Sequence, residues 1–169
     1  MSLSEELKAT MINFLGKIKQ EGKIGLIEPS NNISQSYLKK ASDCLKAAKL
    51  LLSAALYENS VSESYYSMYN CLLACLFRCG IKCENHTASI MLVSKIFGET
   101  DLMKRLEEAK KERIDKQYYV TGEDNAPITR QIAEDMIKTA ENVNIELRLI
   151  IDSLGEQKIS FARDFVEKL

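Results

Sequence analysis

Apolar residues recur every three or four positions along almost the whole chain, the spacing that gathers them on one stripe of an α-helix. Leu7, Met11, Phe14, Leu15 and Ile18 mark a first helix, with Ser2 and Glu5 at capping-box spacing ahead of it and Gly22 as its end. The stretch GKIGLIEPSNN then reads as a loop. A second helix is predicted from about Ser34 to Tyr57, with Tyr37, Leu38, Ala41, Leu45, Ala48, Leu52 and Ala55 on its apolar face. A tight turn at Glu58-Asn59 follows. Ser60 and Glu63 repeat the capping-box spacing and open a third helix, which carries Val61, Tyr65, Met68, Leu72, Cys75 and Cys79 and stops at Gly80. Asn85 can cap a short fourth helix ending at Phe97-Gly98, and a fifth runs from about Asp101 through Leu102, Leu106 and Ala109 to Tyr118. After the loop VTGEDNA, Pro127 stands where a first helical residue belongs. Ile132, Met136, Ala140, Val143, Leu147, Ile150 and Leu154 trace a long sixth helix closed by Gly155, and Ile159, Ala162, Phe165 and Val166 predict a final short one. No segment has the strict alternation of a half-buried strand.

The pattern specifies an all-α protein. Two long neighbouring helices joined by a tight turn pack antiparallel, so the architecture expected is an up-and-down bundle of four to five core helices with extra N- and C-terminal helices. The organisation expected is an N-terminal helix and loop over residues 1–33, the bundle over 34–154 and a C-terminal helix over 155–169. At 169 residues the chain fits one domain. With 46% hydrophobic and 28% charged residues it has the composition of an ordinary soluble protein. A net charge of −1 excludes a global basic field that would draw in nucleic acid and leaves only a local patch open. MSLSEELK lacks the apolar core of a secretory signal, and the longest apolar stretch, around residues 71–77, is too short to span a membrane. Five cysteines, an odd number, argue against a secreted disulfide framework. A cytoplasmic location is expected.

Four of those cysteines fall at intervals of four in CLLACLFRCGIKC: Cys71, Cys75, Cys79 and Cys83. Four residues turn a helix by about 400°, and the outer two would stand roughly 18 Å apart if all were helical. They cannot converge on one zinc, whose thiolates lie at about 2.3 Å. Two of them at i and i+4 could give half a site, whose other half would have to come from Cys44 or His86. Disulfides between successive turns fail because the β-carbons lie beyond the roughly 3.8 Å a bridge prefers. Cys71, Cys75 and Cys79 are therefore expected to be small buried residues facing other helices, and Cys83, past Gly80, to lie in a loop. No metal and no cofactor are expected.

The chain has one histidine, His86, so a two-histidine zinc site is excluded within one chain. No phosphate loop of the P-loop type occurs. Cys83, not Glu, stands three positions before His86, which removes the di-iron pattern. His86 reads as an uncharged residue at the start of the fourth helix. The tyrosines carry more. Tyr65-Tyr66 and Tyr69 lie mid-way along the third helix, and Tyr118-Tyr119 end the fifth. Adjacent tyrosines cannot face the same way on a helix, so one of each pair reaches a groove or a partner chain. In KRLEEAKKERIDKQYYV, Arg113 falls within about one and a half turns of Gln117 and Tyr118. A planar guanidinium beside phenols can cradle a phosphate.

From Ser36 to Phe97 the chain, SYLKKASDCLKAAKLLLSAALYENSVSESYYSMYNCLLACLFRCGIKCENHTASIMLVSKIF, resembles the body of a HEPN domain, named for higher eukaryotes and prokaryotes nucleotide-binding. The features that carry the resemblance are a long helix ending in a Leu-Tyr turn, then Ser-Tyr-Tyr-Ser-Met-Tyr, then a Gly-Ile-Lys segment leading to an Asn-His helix start. RIDKQYYV and the long helix after Pro127 fit the same layout, so the similarity spans about residues 34 to 152, closest to small stand-alone prokaryotic members. It implies an antiparallel bundle that forms a homodimer, often beside a minimal nucleotidyltransferase in toxin–antitoxin pairs. Many members are metal-independent RNases whose motif is Arg, a polar residue, then His after four to six intervening positions. Arg113 matches the arginine. Ile114 is not polar, and Tyr118, Tyr119 and Val120 stand where histidine belongs. Attack by a 2′-hydroxyl needs a group titrating near neutrality. Tyrosine titrates near 10. His86, on another helix, is not expected to substitute. The resemblance therefore implies a non-catalytic or weakly catalytic member that binds a nucleotide, RNA or a nucleotidyltransferase, with Tyr118 or Tyr119 as a possible acceptor of modification. The candidate binding set is Arg113, Gln117, Tyr118, Tyr119 and Tyr66, with Arg113 and Tyr118 as catalytic candidates. The alternatives are an active metal-independent endoribonuclease using Tyr118 or His86, and a purely structural dimerisation module.

Overall fold

The computed structural model describes residues 3–118 and 128–169, with side chains described for all of these except 3–5, 7, 8 and 114–118. Among the described residues it is an all-α bundle of seven helices with one two-stranded ribbon. The helices are α1 (Leu3–Gln20), α2 (Asn31–Ser53), α3 (Tyr57–Arg78), α4 (His86–Phe97), α5 (Thr100–Tyr118), α6 (Arg130–Asp152) and α7 (Glu156–Glu167). The strands are β1 (Ile24–Leu26) and β2 (Ile81–Cys83).

Helix α3 is the axis. Its residues from Ser67 to Leu76 are all buried, as expected of a helix with neighbours on every side. Against α2 the match is built on small residues seven apart. Ser67 Oγ donates to the Ala41 carbonyl at 2.7 Å and Ser60 Oγ to the Ala48 carbonyl at 2.8 Å. Ala41 and Ala48 are fully buried, so the two backbones approach closely, and the rising-against-falling register makes the pair antiparallel. Against α6 the register rises together: Cys71 Sγ lies 3.7 Å from the Asn144 carbonyl and Cys75 Sγ 3.4 Å from that of Leu147. Arg105 of α5 grips Glu146 of α6 through both guanidinium nitrogens, fixing α5 beside the same core.

Several boundaries differ from the sequence expectation. Helix α2 starts earlier, because Ser30 caps it by accepting from the Ile33 N–H at 3.2 Å. The turn to α3 falls at residues 54–56 instead of Glu58-Asn59, with Ala55 at φ 59°. Ser60 and Glu63 are not a capping box; Ser60 lies inside α3, whose N-cap is Leu56. Helix α6 is capped by Thr129, which accepts from the Ile132 N–H at 3.3 Å, while Pro127 lies outside the described residues.

The loop expected after Gly22 and the loop expected at Cys83 pair with each other. Ile24, Gly25 and Leu26 oppose Cys83, Lys82 and Ile81 in an antiparallel ladder. Three-residue strands are too short to display an alternating pattern. Cys83 is thus a buried strand residue and not a loop residue. Helix α7 closes over this ribbon: Arg163 donates to the Ile27 carbonyl at 2.6 Å and to that of Gly80 at 3.3 Å. Gly80 sits at φ +71°, and a β-carbon there would stand 2.5 Å from the Ile27 carbonyl oxygen and against the Arg163 guanidinium. No helix among the described residues is long and apolar enough to cross a membrane.

Candidate functional site

The cysteine wall of α3 offers no chemistry. Cys71, Cys75 and Cys79 are fully buried and all five cysteines are free. Burial pushes the Cys71 thiol up to about 12 and the Cys79 thiol up to about 11, and it raises Cys75 well above the ordinary thiol value. At neutral pH they are protonated, whereas a metal ligand or nucleophile must be a thiolate. Among the described residues no three His, Cys, Asp or Glu side chains gather as a ligand set.

The tyrosines of α3 behave otherwise. Tyr65 and Tyr69, four apart, share one face, and their rings lie near-parallel with centroids 6.1 Å apart. Tyr66 is turned about 100° from Tyr65. Opposite them, Asn85 caps α4 by accepting from the Ala88 N–H at 2.9 Å, so His86 is the first helical residue. Its ring stacks on Tyr69 at 3.8 Å between centroids, and its Nδ1 is 2.7 Å from the Tyr65 hydroxyl. Helix α5 brings the cations. Arg113 donates from a terminal guanidinium nitrogen to the Tyr66 hydroxyl at 2.8 Å, and its guanidinium carbon stands 5.2 Å from the ring centroids of both Tyr65 and Tyr66. One turn earlier, Lys110 donates to the hydroxyl of Thr87, the neighbour of His86.

This arrangement sets the charges. Burial lowers the His86 pKa, and the nearby Arg113 and Lys110 lower it further, so the imidazole is neutral at pH 7. Burial lowers Lys110 as well. Burial raises Tyr65 beyond its ordinary value and takes Tyr69 up to about 12, which leaves both phenols neutral hydrogen-bonding groups. The result is a guanidinium near two rings, an ammonium one turn away and a neutral imidazole behind one shared phenol. Such a set can bind an anion through Arg113 and accept a proton at His86.

Of the residues singled out in the sequence, Arg113 and Tyr66 are in direct contact. Tyr118 ends α5, but its side chain, that of Gln117 and all of Tyr119 lie outside the described residues. His86, not expected to substitute for the missing histidine, stands across Tyr65 from Arg113. Lys110 and Thr87 were not singled out at all. The available signal was the short Gly98 connection between α4 and α5, since consecutive elements with short links lie side by side. Gly98 takes φ +78° and ends α4 two residues before α5 begins.

A family model described as HEPN domain matches residues 34–148. A UPF0332 protein of Gloeobacter violaceus is 36% identical over 58 residues, a stretch that covers 34% of this chain and 46% of that protein. The chain thus matches about half the length of that relative.

Proposed function

Because the chain belongs to the HEPN domain family, we propose that it binds a phosphate-bearing ligand, a nucleotide or RNA, at Arg113 and Tyr66, and that it works as a homodimer beside a minimal nucleotidyltransferase. The observation that supports this is the guanidinium of Arg113, oriented by the Tyr66 hydroxyl and lying against two rings. A guanidinium presents paired N–H donors to a phosphate, and orienting it beforehand reduces the entropy lost on binding. Lys110 adds a second positive charge one turn away. The test is a titration of the purified protein with labelled mononucleotides and a short RNA. Arg113→Ala is expected to weaken binding at least tenfold, the scale of one lost charge-assisted contact. Absence of affinity for nucleotide, for RNA and for a co-expressed nucleotidyltransferase would remove the reading.

A second reading, a metal-independent endoribonuclease, is favoured by the 2.7 Å contact between Tyr65 and His86 Nδ1. With the proton on Nδ1 donated to the Tyr65 oxygen, Nε2 carries the lone pair a base needs. Nε2 then takes the proton of a 2′-hydroxyl, the 2′-oxygen bonds to phosphorus, the bond to the 5′-oxygen breaks and that oxygen takes a proton from water. Incubation with labelled RNA in EDTA decides it. Cleavage that disappears in both His86→Ala and Arg113→Ala supports the enzyme, and intact RNA eliminates it.

A further inference from the structure

We propose that the Arg113 site takes a single-stranded oligonucleotide, not a free mononucleotide, with Tyr37 on α2 as a second subsite that stacks a base. This rests on the reading that Arg113 holds a phosphate. Tyr66 and Phe77 are eleven residues apart on α3, which brings the helix back to within about 20° of the same direction roughly 16 Å further along. At that far end the Tyr37 ring lies flat on Phe77, with centroids 5.0 Å apart and planes 12° from parallel. Lys40 Nζ stands 5.7 Å from the Tyr37 centroid. Beside this shelf is a recess of about 400 Å³ bordered by Ser36, Tyr37, Lys39, Lys40 and Asp43. Asp43 is bound to Lys39 at 2.6 Å, and Lys40 makes no ion pair among the described residues.

Tyr65 and Tyr69 are buried in the core, so the aromatic faces open to a ligand are those of Tyr66 and Tyr37. Tyr69 stacks on His86, and His86 bonds to Tyr65 beneath Arg113. A partly exposed ring therefore stands beside a cation at each end, Tyr66 with Arg113 and Tyr37 with Lys40. Proteins that hold single strands use this combination: aromatic faces take successive bases without regard to sequence, and cations follow the backbone. A stacked strand rises about 3.4 Å per nucleotide, so roughly 16 Å corresponds to about five nucleotides, or fewer if the bases splay. A mononucleotide engages one end only.

The experiment is competition against a fluorescein-labelled RNA hexamer, read by anisotropy, with uridine oligomers of one to eight nucleotides. Affinity is expected to climb with length and level off near five. Tyr37→Leu is expected to weaken the hexamer about tenfold, the scale of one lost stacked base, and to leave the mononucleotide unchanged. Lys40→Ala, an exposed position, is expected to move the hexamer in the same direction and serves where Tyr37→Leu does not fold. A flat dependence on length, a hexamer indifferent to both variants, or a duplex bound as tightly as the single strand would overturn the inference. Flat length dependence with a mononucleotide that still needs Arg113 sinks this inference alone. Failure of mononucleotide and hexamer alike sinks the phosphate reading with it.

Discussion

Helix α3 has two walls made of residues that are equally suggestive in sequence and opposite in consequence. Toward α6 stand Cys71 and Cys75, each with its sulfur against a backbone carbonyl of the facing helix. Toward α4 and α5 stand Tyr65, Tyr66 and Tyr69, each bonded to a side chain of another element: His86, Arg113 and Ser89. The cysteine wall meets backbone that is already satisfied within its own helix, so it can only fill space. The tyrosine wall meets titratable and charged groups and orients them. Reactivity along one helix is thus decided by what lies opposite, more than by the intrinsic chemistry of the residue type.

The largest test of this contrast is Tyr65→Ala. Tyr65 is fully buried, and truncating a buried aromatic costs about 3–5 kcal/mol. Urea unfolding should show a loss of that size; a loss below about 1 kcal/mol would mean that the tyrosine wall is not part of the core. Next comes Cys75→Leu, which adds volume to a closed contact and should cost about 1–3 kcal/mol while leaving ligand affinity unchanged. A fall in affinity beyond the loss of folded protein would break the contrast.

Tyr66→Phe should do the reverse. It removes one half-buried hydroxyl, so stability should fall by at most about 1 kcal/mol, whereas affinity for labelled RNA should drop severalfold as Arg113 loses its anchor. The smallest effect is pH-dependent. The folded pKa of His86 lies below the value of about 6.5 expected when unfolded, so the unfolded chain binds the proton more readily. Stability contributed by neutral His86 is therefore complete above pH 6.5 and lost as pH falls below it toward the lowered folded value. His86→Gln should flatten that part of the stability–pH curve, and an unchanged slope would show that His86 is not held neutral by the fold.

The bundle was legible because a 3.6-residue period survives over long helices, and because Asn85 and Gly98 mark the ends of α4 by cap chemistry. The turn between α2 and α3 was not, since Ala55 adopts a left-handed conformation where no glycine or asparagine advertises one. Ser60 misled because a serine that bonds a carbonyl across a helix pair looks, in sequence, like one that caps. Arg113 and Tyr66 could be singled out from type and spacing alone. The placing of His86 beside them could not, because it depends on how α4 crosses α3, a property of packing that no local pattern encodes.

The grip of Arg163 on the Ile27 and Gly80 carbonyls has a consequence for the order of assembly. The ribbon pairs early parts of the chain, yet the cation that latches it is 136 residues downstream of Ile27. During synthesis the α2–α3 hairpin can zip as soon as it emerges, while the ribbon stays unlatched until α7 has left the ribosome. A nascent chain arrested before residue 163 should therefore expose this edge to proteases that the finished molecule resists.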